Sequence, residues 1–470
     1  MPLNIWRKPG FLSSQGHEQP ALGLADLAVG LGMLALLYVV ARVGAQSFVR
    51  FSPPDVIPSV GLDPRNLPNY AARSTLRMFI ALAFSTLFTF VYGYAAARSR
   101  RAERVLVPLL DILQSIPVLG FLSVTVTAFI ALFRGSLLGL EAASIFAIFT
   151  GQAWNMTFSF YQSLRSVPRE LDEMASLYRL SRWERFTRLE LPVSVIGLVW
   201  NGMMSFGGGW FFLAASEAIS VLNRQYTLPG IGSYVAAAIA ARNLGSLAWA
   251  IFTMVVLILL IDQLFWKPLV TLADRYKLEL SAGEERRFWL VDLWRSASLP
   301  RYFRGLVEPL LRRFDQMLSA ATAIPSKTNR GTSSKKGDFV YRGVLFIVTA
   351  GLAVAAGRFI LSGVGLAEVG YAALLGLTTA GRVILLLIFS TVVWTPIGVA
   401  IGFNPRLARI SQPIVQVLAS FPANFLFPFA TLGFIKLGLS LNWGSMLLMA
   451  LGAQWYLLFN VIGGAQGIPN

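Results

Sequence analysis

The sequence predicts an all-α integral membrane protein, a helical bundle of about ten transmembrane helices arranged as a tandem parallel repeat. Three observations carry this reading. Apolar residues make up 55% of the 470 positions and charged residues 13%, roughly half the charged share of a soluble domain. Apolar runs long enough to cross a hydrocarbon core recur along the chain. One stretch then returns, in register, in the second half.

The composition also removes several chemistries. With no cysteine there is no disulfide, thiolate metal site or cysteine nucleophile. A single histidine, His17, provides neither a zinc cluster nor a Ser-His-Asp triad. The net charge of +17 suits nucleic acid or a membrane protein with basic inner loops, and the placement of the charges decides between them.

The apolar runs cover 24–45, 76–97, 105–133, 139–163, 192–215, 246–268, 340–360, 378–402, 409–435 and 441–462. Lipid cannot satisfy free backbone groups, so each is expected to be helical. The first run is too long for a signal peptide and lacks a clean cleavage site. Placing the N-terminus inside collects Arg7, Lys8, Arg98, Arg100, Arg101, Arg104, the arginines from Arg165 to Arg188, the basic loop from Lys267 to Arg342, and Arg406 and Arg409 on the inner face. Even without that long loop the inner face leads, with RSRRAER as the clearest signal. Both termini are therefore read as cytoplasmic. No aromatic-basic platform accompanies the charge, so the expected partner is membrane lipid and not nucleic acid.

The repeat aligns Arg77–Pro117 with Arg382–Pro422 without a gap, and thirteen of these 41 positions are identical. Among them are Arg77/Arg382, Gly93/Gly398, Arg101/Arg406, Arg104/Arg409, Pro108/Pro413 and Pro117/Pro422. After a short deletion Gly151, Trp154, Phe158 and Pro168 pair with Gly452, Trp455, Phe459 and Pro469. Apolar composition alone does not put arginines, prolines and glycines in register. Both copies enter from one side, as a parallel repeat does. The expected domains are 1–270 (six spans), a cytosolic linker 271–340, and 341–470 (four spans). The second repeat then wants a completing part, from a longer chain or another one. In the linker, Phe303, Leu306, Leu310, Phe314 and Met317 follow helical spacing with arginines opposite. This suits a helix at the membrane interface or one against a partner subunit. IPSKTNRGTSSKKGD reads as disordered.

Between spans four and five lies PRELDEMASLYRLSRWERFTRLELP, from Pro168 to Pro192. Leu171, Met174, Ala175 and Tyr178 share one helical face. Ser181 with Glu184 makes a capping box that starts a second short helix. Such a helical elbow, charged with one apolar face, suits docking.

Glu173, Ala175, Arg179 and the Leu189–Pro192 ending resemble the EAA signature of ABC-transporter permeases, which reads EAA, three residues, Gly, about nine residues, then Ile-x-Leu-Pro. Met174 replaces the second alanine, and Arg179 replaces the glycine that favours a left-handed turn. LPNYAARSTLRMF (67–79), ASEAI (215–219) and LPGIGSYV (228–235) resemble segments of permeases of the nitrate, sulfonate, taurine and bicarbonate group. The resemblance implies a type I ABC permease fold and binding-protein-dependent import of a small solute, an anion such as nitrate, sulfonate or bicarbonate, across a bacterial inner membrane. It implies an ATPase-coupling segment of Glu173, Ala175, Arg179, Leu180 and Ser181. It implies two ATP-binding cassette subunits that hold ATP and Mg, an extracytoplasmic solute-binding protein, and no cofactor or catalysis on this chain.

Polar groups within spans are functional candidates. Trp154, Asn155, Asn201, Ser205 and Trp455, with Tyr456, are candidates for the translocation path, against interhelical hydrogen bonding. Asp111 and Gln114 lie on span three, with Gln416 matching Asp111. Arg77 and Arg382 are expected near the outer mouth, drawing an anion, snorkelling or capping neighbouring helix ends. Glu217 is expected to pair with a loop arginine, and Gly207–Gly209 to serve packing. No Walker A loop is present, since GTSSKKGD (331–338) has neither its spacing nor a preceding strand. No HExxH or paired-carboxylate site appears. The alternatives are an ion-coupled secondary transporter built from repeats, which wants midplane carboxylates or histidines, and a lipid-acting membrane enzyme, which wants clustered acid and base groups.

Overall fold

A computed structural model describes residues 24–45, 60–221, 224–276, 288–322, 335–363, 365–438, 440–466 and 468. The chain divides into two compact units, Met1–Asn329 and Arg330–Asn470. Arg7, Lys8, His17, Pro469 and most of IPSKTNRGTSSKKGD lie outside the described residues. Its last four, Lys335–Asp338, are helical.

The first unit opens with α1 (Leu24–Ala45) and α2 (Leu67–Phe88). A π-helical turn at Thr89–Gly93 joins α2 to α3 (Tyr94–Arg98). Then come α4 (Arg100–Ser115), α5 (Val118–Leu132) and α6 (Leu138–Arg165). The elbow holds α7 (Arg169–Leu177) and α8 (Arg182–Arg185), and a second π-turn at Phe186–Glu190 leads into α9 (Leu191–Glu217). A hairpin of β1 (Ala218–Val221) and β2 (Arg224–Thr227) sets Ala218 opposite Thr227. It is followed by α10 (Ile231–Ala240), α11 (Leu244–Ile261), a third π-turn at Asp262–Trp266 and α12 (Lys267–Ala273). The unit closes with α13 (Trp289–Ser296) and α14 (Leu299–Ala321).

Helix α6 is the hub, packed by α2, α5 and α9. Within lipid this association relies on close packing rather than on escape from water. A methyl on Gly139 would stand 2.9 Å from the Phe129 carbonyl oxygen, so only glycine lets α5 and α6 approach this closely. Trp210, Tyr234, Phe160 and Phe206 are fully buried around the same core.

The second unit contains α15 (Lys335–Gly363), α16 (Leu366–Gly402), α17 (Pro405–Ser420), α18 (Phe427–Lys436) and α19 (Leu441–Gln466). Its helices repeat local geometry of the first. In α4 and α17 the ends correspond residue for residue, each with an internal proline, Pro108 and Pro413. Ser99 and Asn404 cap both N-termini through their side chains. A methyl on Gly93 would meet Phe160 at 2.8 Å, and one on Gly398 would meet Val461, the aligned residue, at 2.7 Å.

Ten continuous crossings are not what forms. Among the described residues seven helices are long and apolar enough to cross a membrane, or eight if α4 and α5 count as one bent span. The run 105–133 breaks where Ile116, before Pro117, is extended (ψ 123°), and α4 and α5 meet at 102°. The run 409–435 breaks where Phe421, before Pro422, is extended (ψ 128°). A residue before proline is driven out of the helical region in both places. In the run 139–163, Glu141, Gln152 and Asn155 dilute the apolar character of α6, which nevertheless lies at the centre of the bundle.

Candidate functional site

The elbow is built from short-range signals. Pro168 opens α7, and Glu170 and Asp172 stand in its first turn, where acidic groups favour the helix dipole. The helix closes in a Schellman motif: Leu180 N–H donates to the Ala175 carbonyl at 3.1 Å and Arg179 N–H to that of Ser176 at 3.1 Å. Arg179 takes the left-handed position at φ 50°. The turn that glycine favours is therefore kept with arginine in it. Ser181 Oγ accepts from Glu184 N–H at 3.2 Å, and the Glu184 carboxylate accepts from Ser181 N–H at 3.0 Å. This capping box starts α8, and the helix then runs unbroken from Arg182 to Glu217. At 1.5 Å per residue that is a lever of roughly 50 Å.

Ala175 is buried and fixes one face of α7. Glu173 and Arg179 are exposed, as are Met174, Leu177 and Tyr178, with Leu177 81% open. Leu180 is half-buried and Ser181 buried. Buried Arg185 bolts the elbow to the bundle by pairing with Asp172 of α7 and, at 3.0 Å, with Glu190. Arg98 at the end of α3 reaches the same Glu190. Phe186, in the second π-turn, packs edge-on against Phe90 in the first at 5.8 Å and stacks on Trp183 at 5.8 Å. Arg98, Asp172, Arg185 and Glu190 escape sequence reasoning, because in so charged a stretch each looks solvated. Only the recurrence of arginine and acidic residues at helical spacing hints at pairing.

The Schellman geometry yields a prediction. Arg179→Gly is expected to preserve the turn and leave the melting temperature unchanged or slightly raised. Arg179→Val, a β-branched residue forced to positive φ, is expected to destabilise the elbow by about 1–2 kcal/mol. Thermal unfolding in detergent, with protease cleavage near 178–181, distinguishes them. Equal behaviour of the two variants would show that the left-handed turn is not a constraint.

The opposite end of the bundle holds a buried ionic clamp. Arg77 uses every guanidinium N–H: two reach Glu141 at 2.5 and 2.7 Å, one reaches Glu217 at 2.6 Å, and two reach the Pro229 carbonyl at 3.2 Å. Arg73 adds a 3.0 Å bond to Glu141. Ser74 Oγ donates to Glu217 at 2.6 Å and accepts from Ile231 N–H at 3.0 Å. Gly232 N–H donates to Glu217 at 2.7 Å. Two expectations are thereby corrected. Arg77 neither snorkels nor stands open to an anion, because two carboxylates saturate it. Glu217 pairs with helix α2 and not with a loop arginine. Arg382, its counterpart in the second unit, is half-exposed.

The path candidates differ in their local surroundings. Trp154 is held edge-on by Phe88 at 5.8 Å and Phe149 at 6.2 Å. Asn155 is exposed. Asn201 donates to Gly197 of its own helix at 2.9 Å. Trp455 lies 5.7 Å from Trp394. Ser205 is buried with its hydroxyl unpaired, as is the whole amide of Gln152 on α6. Asp111 is exposed and accepts from Gln114 at 3.0 Å.

The first unit is thus a helical bundle with a charged elbow at one end and a buried ionic clamp at the other. Residues 78–265, within the first unit, match the family of binding-protein-dependent transport system inner membrane components. The chain is also similar to the nitrate import permease protein NrtB of Leptolyngbya laminosa, at 23% identity over 149 residues, 32% of this chain and 50% of the relative. The match thus spans about half the length of that curated relative.

Proposed function

We propose that this chain is the membrane-spanning subunit of an ATP-driven importer for a small anion, with nitrate as the first solute to test. Its first permease repeat covers 1–270, the linker 271–340 and the second repeat 341–470. The elbow end faces the cytoplasm with both termini, consistent with the basic RSRRAER loop beside it. Two ATP-binding cassette subunits carrying ATP and Mg dock on Glu173–Ser181, and a solute-binding protein delivers the anion at the clamp end. Closure of the ATP-binding subunits pushes α7. The bolt through Arg185 passes that push into the continuous helix 182–217, and the spans re-tilt around the path in alternating access. The chain itself makes and breaks no bonds.

The observation that carries this reading is the exposed Met174, Leu177 and Tyr178 patch beside Glu173, on a turn fixed by a Schellman motif and a buried arginine. Apolar side chains displayed on a rigid, otherwise charged element mark an interaction site.

The test is uptake of labelled nitrate by vesicles containing the chain with its co-expressed partner subunits. Uptake is expected to require ATP. Glu173→Arg, at an exposed position, is expected to lower it about tenfold, which corresponds to roughly 1.4 kcal/mol of docking energy. Uptake driven by an ion gradient without ATP would instead favour the secondary transporter.

A further inference from the structure

Helix α14 is fastened at both ends, and both fastenings lie at the elbow end of the first unit. At its start Ser298 N–H donates to Asp26, a buried carboxylate in the first turn of α1, at 2.5 Å. At its end Trp183 of α8 donates through Nε1 to Asp315 at 2.8 Å, and Trp183 N–H donates to Thr322 Oγ1 at 3.3 Å. Phe314 also meets the Trp183 ring edge-on at 6.5 Å. A helix of 23 residues is about 34 Å long. It therefore runs from the foot of α1 to the foot of α9, across that end of the bundle.

The side of α14 that faces protein is the one bearing Asp315 and Thr322, two turns apart. The adjoining face carries Val307, Leu310, Phe314 and Met317 at helical spacing, and all four are exposed. Trp289, Trp294 and Tyr302 are exposed nearby. By helical spacing Arg312 lies opposite this apolar face and Arg313 borders it beside Met317, both exposed. Residues 289–322 hold five arginines against three acidic residues.

The structure assigns α13–α14 as an in-plane strut that binds the surface of an anionic phospholipid leaflet and holds the elbow at a fixed height beside it. Two arguments select lipid over a protein partner. The start of α14 is tied to α1, whose Leu27 and Leu31 are exposed on a helix apolar enough to cross a membrane. The composition also matches an interfacial helix, with an apolar stripe, tryptophan and tyrosine at headgroup level, and arginine for anionic headgroups. Through Trp183 the strut ties lipid contact to the segment that carries the coupling elbow. The inference rests on α1 spanning the membrane and not on ATP as the energy source.

The absence of native cysteine permits a direct test. The full chain carrying Leu310→Cys, Met317→Cys or Arg312→Cys is labelled with a fluorophore. It is reconstituted in phosphatidylcholine vesicles with or without phosphatidylglycerol, with no partner subunit present. With phosphatidylglycerol, labels at 310 and 317 are expected to lose most of their emission to brominated lipid and little to aqueous iodide. The label at 312 is expected to show the reverse. Omitting phosphatidylglycerol is expected to raise iodide quenching at 310. The assignment is overturned if 310 and 317 are quenched by iodide as strongly as 312. It is equally overturned if they become shielded only when ATP-binding subunits are added, which would make this face a protein-docking surface. Neither outcome depends on nitrate transport, so failure here is distinct from failure of the transport reading.

Discussion

Arg77→Leu is expected to destabilise the first unit by about 3–5 kcal/mol, the usual penalty for removing one partner from a buried ion pair. The loss is not the strength of the bonds removed. It is the cost of leaving Glu217 charged with no cation in contact, supported only by Ser74 Oγ and the Gly232 amide. Glu141 fares better, because Arg73 remains at 3.0 Å. The double variant Arg77→Leu with Glu217→Leu is therefore expected to cost much less than the sum of the two single variants, since it removes both buried charges together. Thermal unfolding in detergent, followed by tryptophan fluorescence, measures all three. If Arg77→Leu melts with the parent protein, the clamp does not stabilise the fold. If the double variant equals the sum, the two groups are not coupled.

The clamp also shows where sequence reading stops. Arg77, within a span, and Glu217, just past the end of one, both stand out in the sequence as polar candidates. Their pairing does not, since Arg77 is 64 residues from Glu141 and 140 from Glu217. Nothing local encodes a contact made by three helices and the turn before α10. Hydropathy likewise read 105–133 and 409–435 as continuous spans, because it sums apolar character and ignores the backbone restriction that Pro117 and Pro422 place on the residue before each. Those same prolines were part of the repeat signal. The features that broke the spans were legible as sequence and misread as geometry.

The elbow was more legible, since its determinants are local. Pro168, the Ser181–Glu184 box and the apolar face through Ala175 are each signalled within four residues. Arg179 departs from the glycine of the family pattern, yet the two Schellman bonds hold the turn, so backbone hydrogen bonding outweighs the intrinsic cost of positive φ. The role of α14 was undecidable from periodicity alone. An amphipathic stripe states that a face needs cover, and only the contacts with Asp26 and Trp183 indicate what that cover is.

Arg185→Leu is expected to separate the elbow from the bundle while leaving the bundle folded. Arg185 is buried and bridges Asp172 on α7 to Glu190 at the foot of α9. After its loss Glu190 still has Arg98, and half-exposed Asp172 can hydrate, so the penalty falls on the link between α7 and α9. A local cost of about 3 kcal/mol would raise the open fraction of 169–181 by roughly a hundredfold. Amide hydrogen exchange is therefore expected to quicken across α7 by that factor and to stay unchanged across α6 and α9. If the elbow transmits force, ATP hydrolysis by docked subunits continues in this variant while solute uptake falls to background. Arg185→Lys, with one compact charge in place of a fork, is expected to hold one carboxylate and lose the other, giving an intermediate exchange rate. Unchanged exchange in Arg185→Leu would mean that the aromatic contacts of Phe186 alone seat the elbow, and the lever would then begin at the π-turn rather than at the arginine.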